Sequence, residues 1–281
     1  MNKKIFFSLV LLVLYFCLCV STANAGGVSL AFGVHDLIVH DVFPDGGDSR
    51  TYGIGVEISS EDTTKSGIEI MSSFAIFLDN DKDELDPDHI PIWFAFNFET
   101  LGNIRTLTEN VELNWLFDVT TRRNTTSSVE QQYLIFPGIS LSYDTGRFTV
   151  GAKTNVGYYF LEIDDDVPRT RGYDRGDFIN KTFAYSLSAN THILLGNAFG
   201  FNAAAQAWAD NDAWLEQRYK ISMTYDSNDW IPNSVFKISI EHTRYNLDHY
   251  ALIDTGDPAY IPILPWNKDT MVRAYIIFSW N

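Results

Sequence analysis

Six histidines are present, and among them His35 adjoins Asp36, His40 adjoins Asp41 and His249 adjoins Asp248. An imidazole beside a carboxylate is the smallest acid–base unit a protein can build, because the carboxylate stabilises the imidazolium and orients the ring. No Gly-x-Ser-x-Gly elbow and no His-x-Ser pair accompanies them. His-Asp pairs in polar loops are ordinarily solvated, so hydrolytic chemistry is the weakest expectation here. A second cluster is acidic, Asp79-Asn80-Asp81-Lys82-Asp83-Glu84. Asp79, Asp81 and Asp83 alternate like the opening of a calcium loop, whose hard cation takes oxygen ligands. Glu84 stands where such a loop needs glycine, and Ile90 where it needs a closing glutamate. The spacing supports at most a loosely bound Ca2+, and a solvated acidic loop is the simpler reading.

A third set of charges is spread along the chain. Glu57, Glu69, Glu99, Glu112 and Asp118 each have an apolar or aromatic neighbour on at least one side, and so do Lys153, Arg218, Lys220, Lys237 and Arg273. Whether they meet depends on the elements that carry them. The final stretch, residues 269–281, puts Val272, Ala274, Ile276, Phe278 and Trp280 on one face and Met271, Arg273, Tyr275, Ile277 and Ser279 on the other. That is a period-two strand. A strand at the end of a chain exposes an unpaired edge unless it closes against the first one. The clearest strand alternates Val111, Leu113, Trp115, Phe117 and Val119 with Glu112, Asn114, Leu116, Asp118 and Thr120. The same pattern recurs from residue 28 onward. It breaks at His35-Asp36, where a bulge is expected.

The alternation predicts about twelve strands, with ten to fourteen allowed, in an all-β, closed, antiparallel transmembrane barrel. Long polar connections are expected near residues 79, 121, 164 and 247, with short turns near 63, 144 and 195. They mostly alternate, as they do when one end of a barrel faces the periplasm and the other the outside. The connection predicted over residues 101–110 is long for its end. A soluble sandwich would also have one polar face, but the many Tyr, Trp and Phe residues near strand ends suit two interfacial girdles.

Residues 1–25 read as a secretory signal: Lys3 and Lys4, an apolar run, then Ala23-Asn24-Ala25. A single domain is expected over 26–281. Cys17 and Cys19 are the only cysteines and lie in the signal, so thiol, disulfide and cysteine-metal chemistry are excluded from the rest. The net charge of −16 becomes −18 without Lys3 and Lys4, which argues against nucleic acid as a partner.

The signal, the alternating strands and the aromatic-rich last strand resemble a Gram-negative outer-membrane β-barrel. The resemblance is architectural, and it extends to small single-chain barrels and to solitary autotransporter-type barrels without a passenger. It departs from them in that Trp280 is followed by Asn281, and the first strand begins close behind the signal, leaving no room for a passenger. The resemblance implies an outer-membrane location, contact with lipid and lipopolysaccharide, the barrel-assembly machinery as a partner, and a monomer. Inward-facing acids from the first half of the chain (Glu57, Glu69, Glu99, Glu112, Asp118) would then oppose inward-facing bases from the second half (Lys153, Arg218, Lys220, Lys237, Arg273). Three functions follow, in order: a narrow pore with a charge-lined lumen for small solutes; a surface barrel whose acidic loops bind divalent cations, lipopolysaccharide or a partner; and a lipid- or peptide-processing hydrolase at the rim.

Overall fold

The structure is a computed structural model and describes residues 27–41, 47–80, 92–123, 129–163, 179–196, 198–247 and 267–280. The signal expected at the amino terminus lies outside the described residues. Twelve strands form one closed barrel. They are β1 (Gly27–Val39), β2 (Ser49–Thr63), β3 (Ile68–Asn80), β4 (Ile92–Thr108), β5 (Val111–Arg123) and β6 (Val129–Asp144), followed by β7 (Phe148–Ile163), β8 (Ile179–Leu195), β9 (Phe199–Ala209), β10 (Trp214–Asp226), β11 (Ser234–Tyr245) and β12 (Lys268–Trp280). Each strand pairs antiparallel with the next. β12 closes on β1 in unbroken register, with Leu30 opposite Phe278 and Val34 opposite Ala274. Closure leaves no sheet edge, which is the physical reason the last strand is as regular as the central ones. At the seam Gly33 is needed: a Cβ there would run into the Tyr275 backbone and Cβ. Its absence lets the Tyr275 ring lie against β1 on the inner face.

The outer face is apolar in nearly every strand. Phe183 and Leu187 are 71% and 66% exposed, and Val34, Ile54, Val156, Ile221 and Ile240 are likewise open. A belt of this size has no counterpart on a soluble monomer, whereas in lipid it is the expected surface. Aromatic residues border it, with Tyr225 against both Phe199 and Trp230 at the short-turn end. At that end tight hydrogen-bonded turns join the strands, with Gly67, Gly146 and Gly196 at positive φ. The longer connections gather at the opposite end.

Three expectations are corrected. The segment 101–110 is strand rather than loop: β4 runs to Thr108 and turns at Glu109 and Asn110. Register shifts between Asn103 and Arg105 and between Thr106 and Thr108 break its alternation, which hid it in the sequence. No bulge occurs at His35-Asp36, where pairing with β2 and β12 is continuous. Polarity inverts there instead: Leu37 and Val39 are buried inside while Asp36 pairs with Arg50. Finally, Asp79 is not in a loop but is a buried residue near the end of β3.

Candidate functional site

The interior divides into three zones along the barrel axis. At the long-connection end buried apolar side chains pack together among polar ones such as Gln132, Glu162 and Thr243. Phe136, Tyr159, Leu161, Trp208 and Tyr245 are all under 6% exposed and belong to one cluster. Across the barrel, Phe77 stacks on Trp93 with ring centroids 3.9 Å apart. Beside them His35 Nε2 bonds Asp79 Oδ1, and Trp93 Nε1 donates to Asp79 Oδ2 at 2.9 Å. Both carboxylate oxygens are therefore engaged inside the wall. Of the candidate calcium ligands, Asp79 faces this pair of donors, and Asp81 and Asp83 lie outside the described residues. Replacing Asp79 with leucine is expected to lower stability by about 1–3 kcal/mol for each buried donor left without an acceptor. A urea unfolding midpoint of the refolded barrel measures it.

Below this plug lies a charged belt, organised on Glu241 of β11. Arg122 Nη2 lies 2.7 Å from Glu241 Oε1 and Arg218 Nε 3.9 Å from the same atom. Lys220 Nζ and Arg273 Nη2 lie 3.5 and 3.8 Å from Oε2. Arg218 Nη2 also meets Glu216 Oε1 at 2.6 Å. The other Glu216 oxygen accepts from Gln132 Nε2 at 2.5 Å and Tyr159 Oη at 3.2 Å. Four cations thus share two carboxylates, leaving a surplus of two positive charges. Lys237 has no carboxylate within ion-pair reach among the described residues, and its ammonium sits 5.9 Å from the Tyr275 ring centroid. On the other wall Glu99 and Asp118 are direct cross-strand neighbours, and Lys153 pairs with Glu99.

These groups surround a cavity of about 380 Å³, lined by Glu57, Glu99, Asp118, Lys153, Arg218, Lys220, Lys237 and Arg273 among others. Toward the short-turn end the lumen widens into cavities of about 1020 and 860 Å³. Glu69 and Glu112 line the second of these. All ten charges singled out in the sequence therefore border the lumen, eight at the belt and two below it. Sequence reasoning missed Arg122, because residues 121–130 read as loop whereas β5 continues to Arg123. It also left out Glu216 and Glu241, although both lie on the inward registers of their strands.

The rim histidines pair differently from their sequence neighbours. His35 is buried against Asp79, not beside Asp36. His40 uses Nδ1 toward Asp48 at 3.1 Å and Nε2 toward Thr270 Oγ1 at 2.8 Å, not Asp41. The backbone N–H of Asp41 and the nearby His40 hold the Asp48 carboxyl below its ordinary pKa, against a weaker effect of desolvation. His242 Nδ1 takes the same Thr270 hydroxyl at 2.8 Å, so two rings tie that hydroxyl down. Asp248 and His249 lie outside the described residues.

Solved structures with this architecture exist. The NanC porin matches with a TM-score of 0.50 at 12% identity, over 89% of this chain and 98% of that one. The fold is that of a porin-type barrel. The KdgM porin matches with a TM-score of 0.47 at 8% identity, over 90% and 99%. The P. putida toluene transporter TodX matches at 0.40 and 10%, over 92% and 90%. No family model matches the chain, and no curated protein matches it. At these identities the likeness concerns the path of the barrel wall and not its lining.

Proposed function

We propose that the chain is a Gram-negative outer-membrane barrel that passes small solutes through a narrow, charge-lined lumen. Its short turns face the periplasm and its long connections face outward. It works as a monomer in contact with lipid and lipopolysaccharide, inserted by the barrel-assembly machinery. The kinship with solitary autotransporter-type barrels is part of this reading, with which the described elements, all of them strands, agree. The observation that carries the function is the cavity at the belt. A barrel filled for stability alone would match its buried charges in pairs. This one keeps unequal numbers of cations and carboxylates around open space, as channels lined by charged side chains do.

The test is planar-bilayer conductance of refolded protein beside a Lys220→Ala/Lys237→Ala double variant. Discrete steps are expected, with anion preference reduced in the variant because two lumen cations are gone while Glu241 keeps its three arginines. A silent bilayer from folded, heat-modifiable protein overturns the reading. The packed apolar end favours one second reading, a barrel that acts through its outer surface and connections, binding divalent cations, lipopolysaccharide or a partner. Silence is its expected result.

A further inference from the structure

The lumen carries two charged zones in series, and they have opposite sign. Toward the short turns the wall is acidic: Glu61 and Asp62 line one cavity, and Glu69, Glu112 and Asp144 line the other. At the belt the surplus is positive, around Arg218, Lys220, Lys237 and Arg273. A small anion is repelled by the first zone and a small cation by the second. A solute with no net charge is penalised by neither.

The belt itself adds a direction. Glu99 and Asp118 face the lumen side by side from β4 and β5, with Lys153 of β7 bound to Glu99. One of these two carboxylates is therefore left without a tight cationic partner. The cations of β10 to β12 line the same cavity with Lys237 unpaired. The field runs across the lumen, so a molecule with separated positive and negative ends is held and aligned there, where a neutral sugar is not. The cavity of about 380 Å³ sits at the lower end of the range for small-molecule sites. Trp93, Phe77 and Tyr275 offer apolar surface on its border.

We propose that this chamber binds zwitterionic amino acids and short peptides, carboxylate toward Lys220, Lys237 and Arg273 and ammonium toward Glu99 and Asp118. The proposal rests on the lumen being a solute path and names the class of solute that the path favours.

The experiment compares three probes of similar size on the refolded full-length mature chain: alanyl-alanine (zwitterion), N-acetyl-alanine (anion) and alanine N-methylamide (cation). Binding is read by calorimetry in detergent, and current block by planar bilayer. Alanyl-alanine is expected to bind about tenfold tighter than either of the others and to be the one that interrupts the current. In a Glu99→Gln/Asp118→Asn variant the preference is expected to pass to N-acetyl-alanine. A Lys237→Met variant, which breaks no ion pair, is expected to weaken alanyl-alanine and N-acetyl-alanine together. Equal affinities for the three probes, tighter binding of N-acetyl-alanine by the parent protein, or no binding at all would overturn the proposal. Selective binding of alanyl-alanine with a silent bilayer would uphold the site and overturn conduction, so the two readings fail separately.

Discussion

Replacing Glu241 by glutamine is expected to destabilise the barrel by about 3–5 kcal/mol, the usual cost of breaking a buried charge network from one side. Arg122, Arg218, Lys220 and Arg273 all converge on this carboxylate, which is itself 12% exposed. Without it, Glu216 is the one carboxylate left within ion-pair distance of any of the four cations among the described residues, and only Arg218 reaches it. The burden falls on the guanidinium groups. Their side chains are 13–17% exposed, whereas Lys220, at 38%, can turn its ammonium into the water of the chamber. A second substitution, Arg273→Leu on the Glu241→Gln background, is therefore expected to recover part of the loss, because it removes a charge that no longer has a partner. Urea unfolding measures both. The Glu241→Gln variant by itself predicts a functional change of opposite character: reversal potentials in a salt gradient shift toward anions, since the belt gains a positive charge. A stable variant with unchanged selectivity would mean that Glu241 lies outside the conducting path and that its cations are satisfied elsewhere.

The strands were legible because a wall with lipid on one side and a wet lumen on the other imposes period two. The rule worked best where the lumen is wet. β5 alternates Val111, Leu113, Trp115, Phe117 and Val119 with polar residues almost throughout, and β12 does so around Arg273. It failed where that physical condition fails. At the long-connection end the interior takes apolar side chains too, so Leu37, Val39, Leu161 and Ile163 point inward, and hydrophobicity ceases to report direction. The supposed break at His35-Asp36 has this origin. In β4 the shifts near Asn103 and Thr106 destroy the period itself. Within the belt, alternation gives the side of the wall on which a residue stands, but not its partner across the lumen. Arg122 and Glu241 are 119 residues apart, and Gln132 and Glu216 are 84 apart. Such pairs depend on barrel circumference and stagger, which a single sequence does not encode locally. The His35–Asp79–Trp93 contact was hidden for the same reason.

The packed apolar end gives the other large expected effect. Trp208 is 2% exposed, stands on β9 with its ring in the cluster of Phe136, Tyr159 and Leu161, and carries the Arg218 guanidinium 5.1 Å from its centroid. Truncation to alanine removes a large buried side chain, at about 3–5 kcal/mol for a site that cannot collapse. A barrel wall pinned by pairing with β8 and β10 is such a site. Loss of the cation–π contact adds about 0.5–2 kcal/mol. One effect runs the other way. The indole N–H of Trp208 is buried without an acceptor among the described residues, so its removal returns about 1–3 kcal/mol. The net loss therefore falls near the lower end of the cavity range. The same truncation thins the zone of the lumen where buried apolar side chains pack most densely. A hydrophobic constriction limits flux by excluding water, so widening it admits water and ions steeply. Trp208→Ala is expected to unfold at lower urea and yet to conduct severalfold better than the parent protein in a planar bilayer. Stability and conductance moving in opposite directions is the outcome that identifies the apolar zone as the barrier to flow. A drop in stability with unchanged conductance would put the limiting step at the charged belt instead, where the Glu241 variants act.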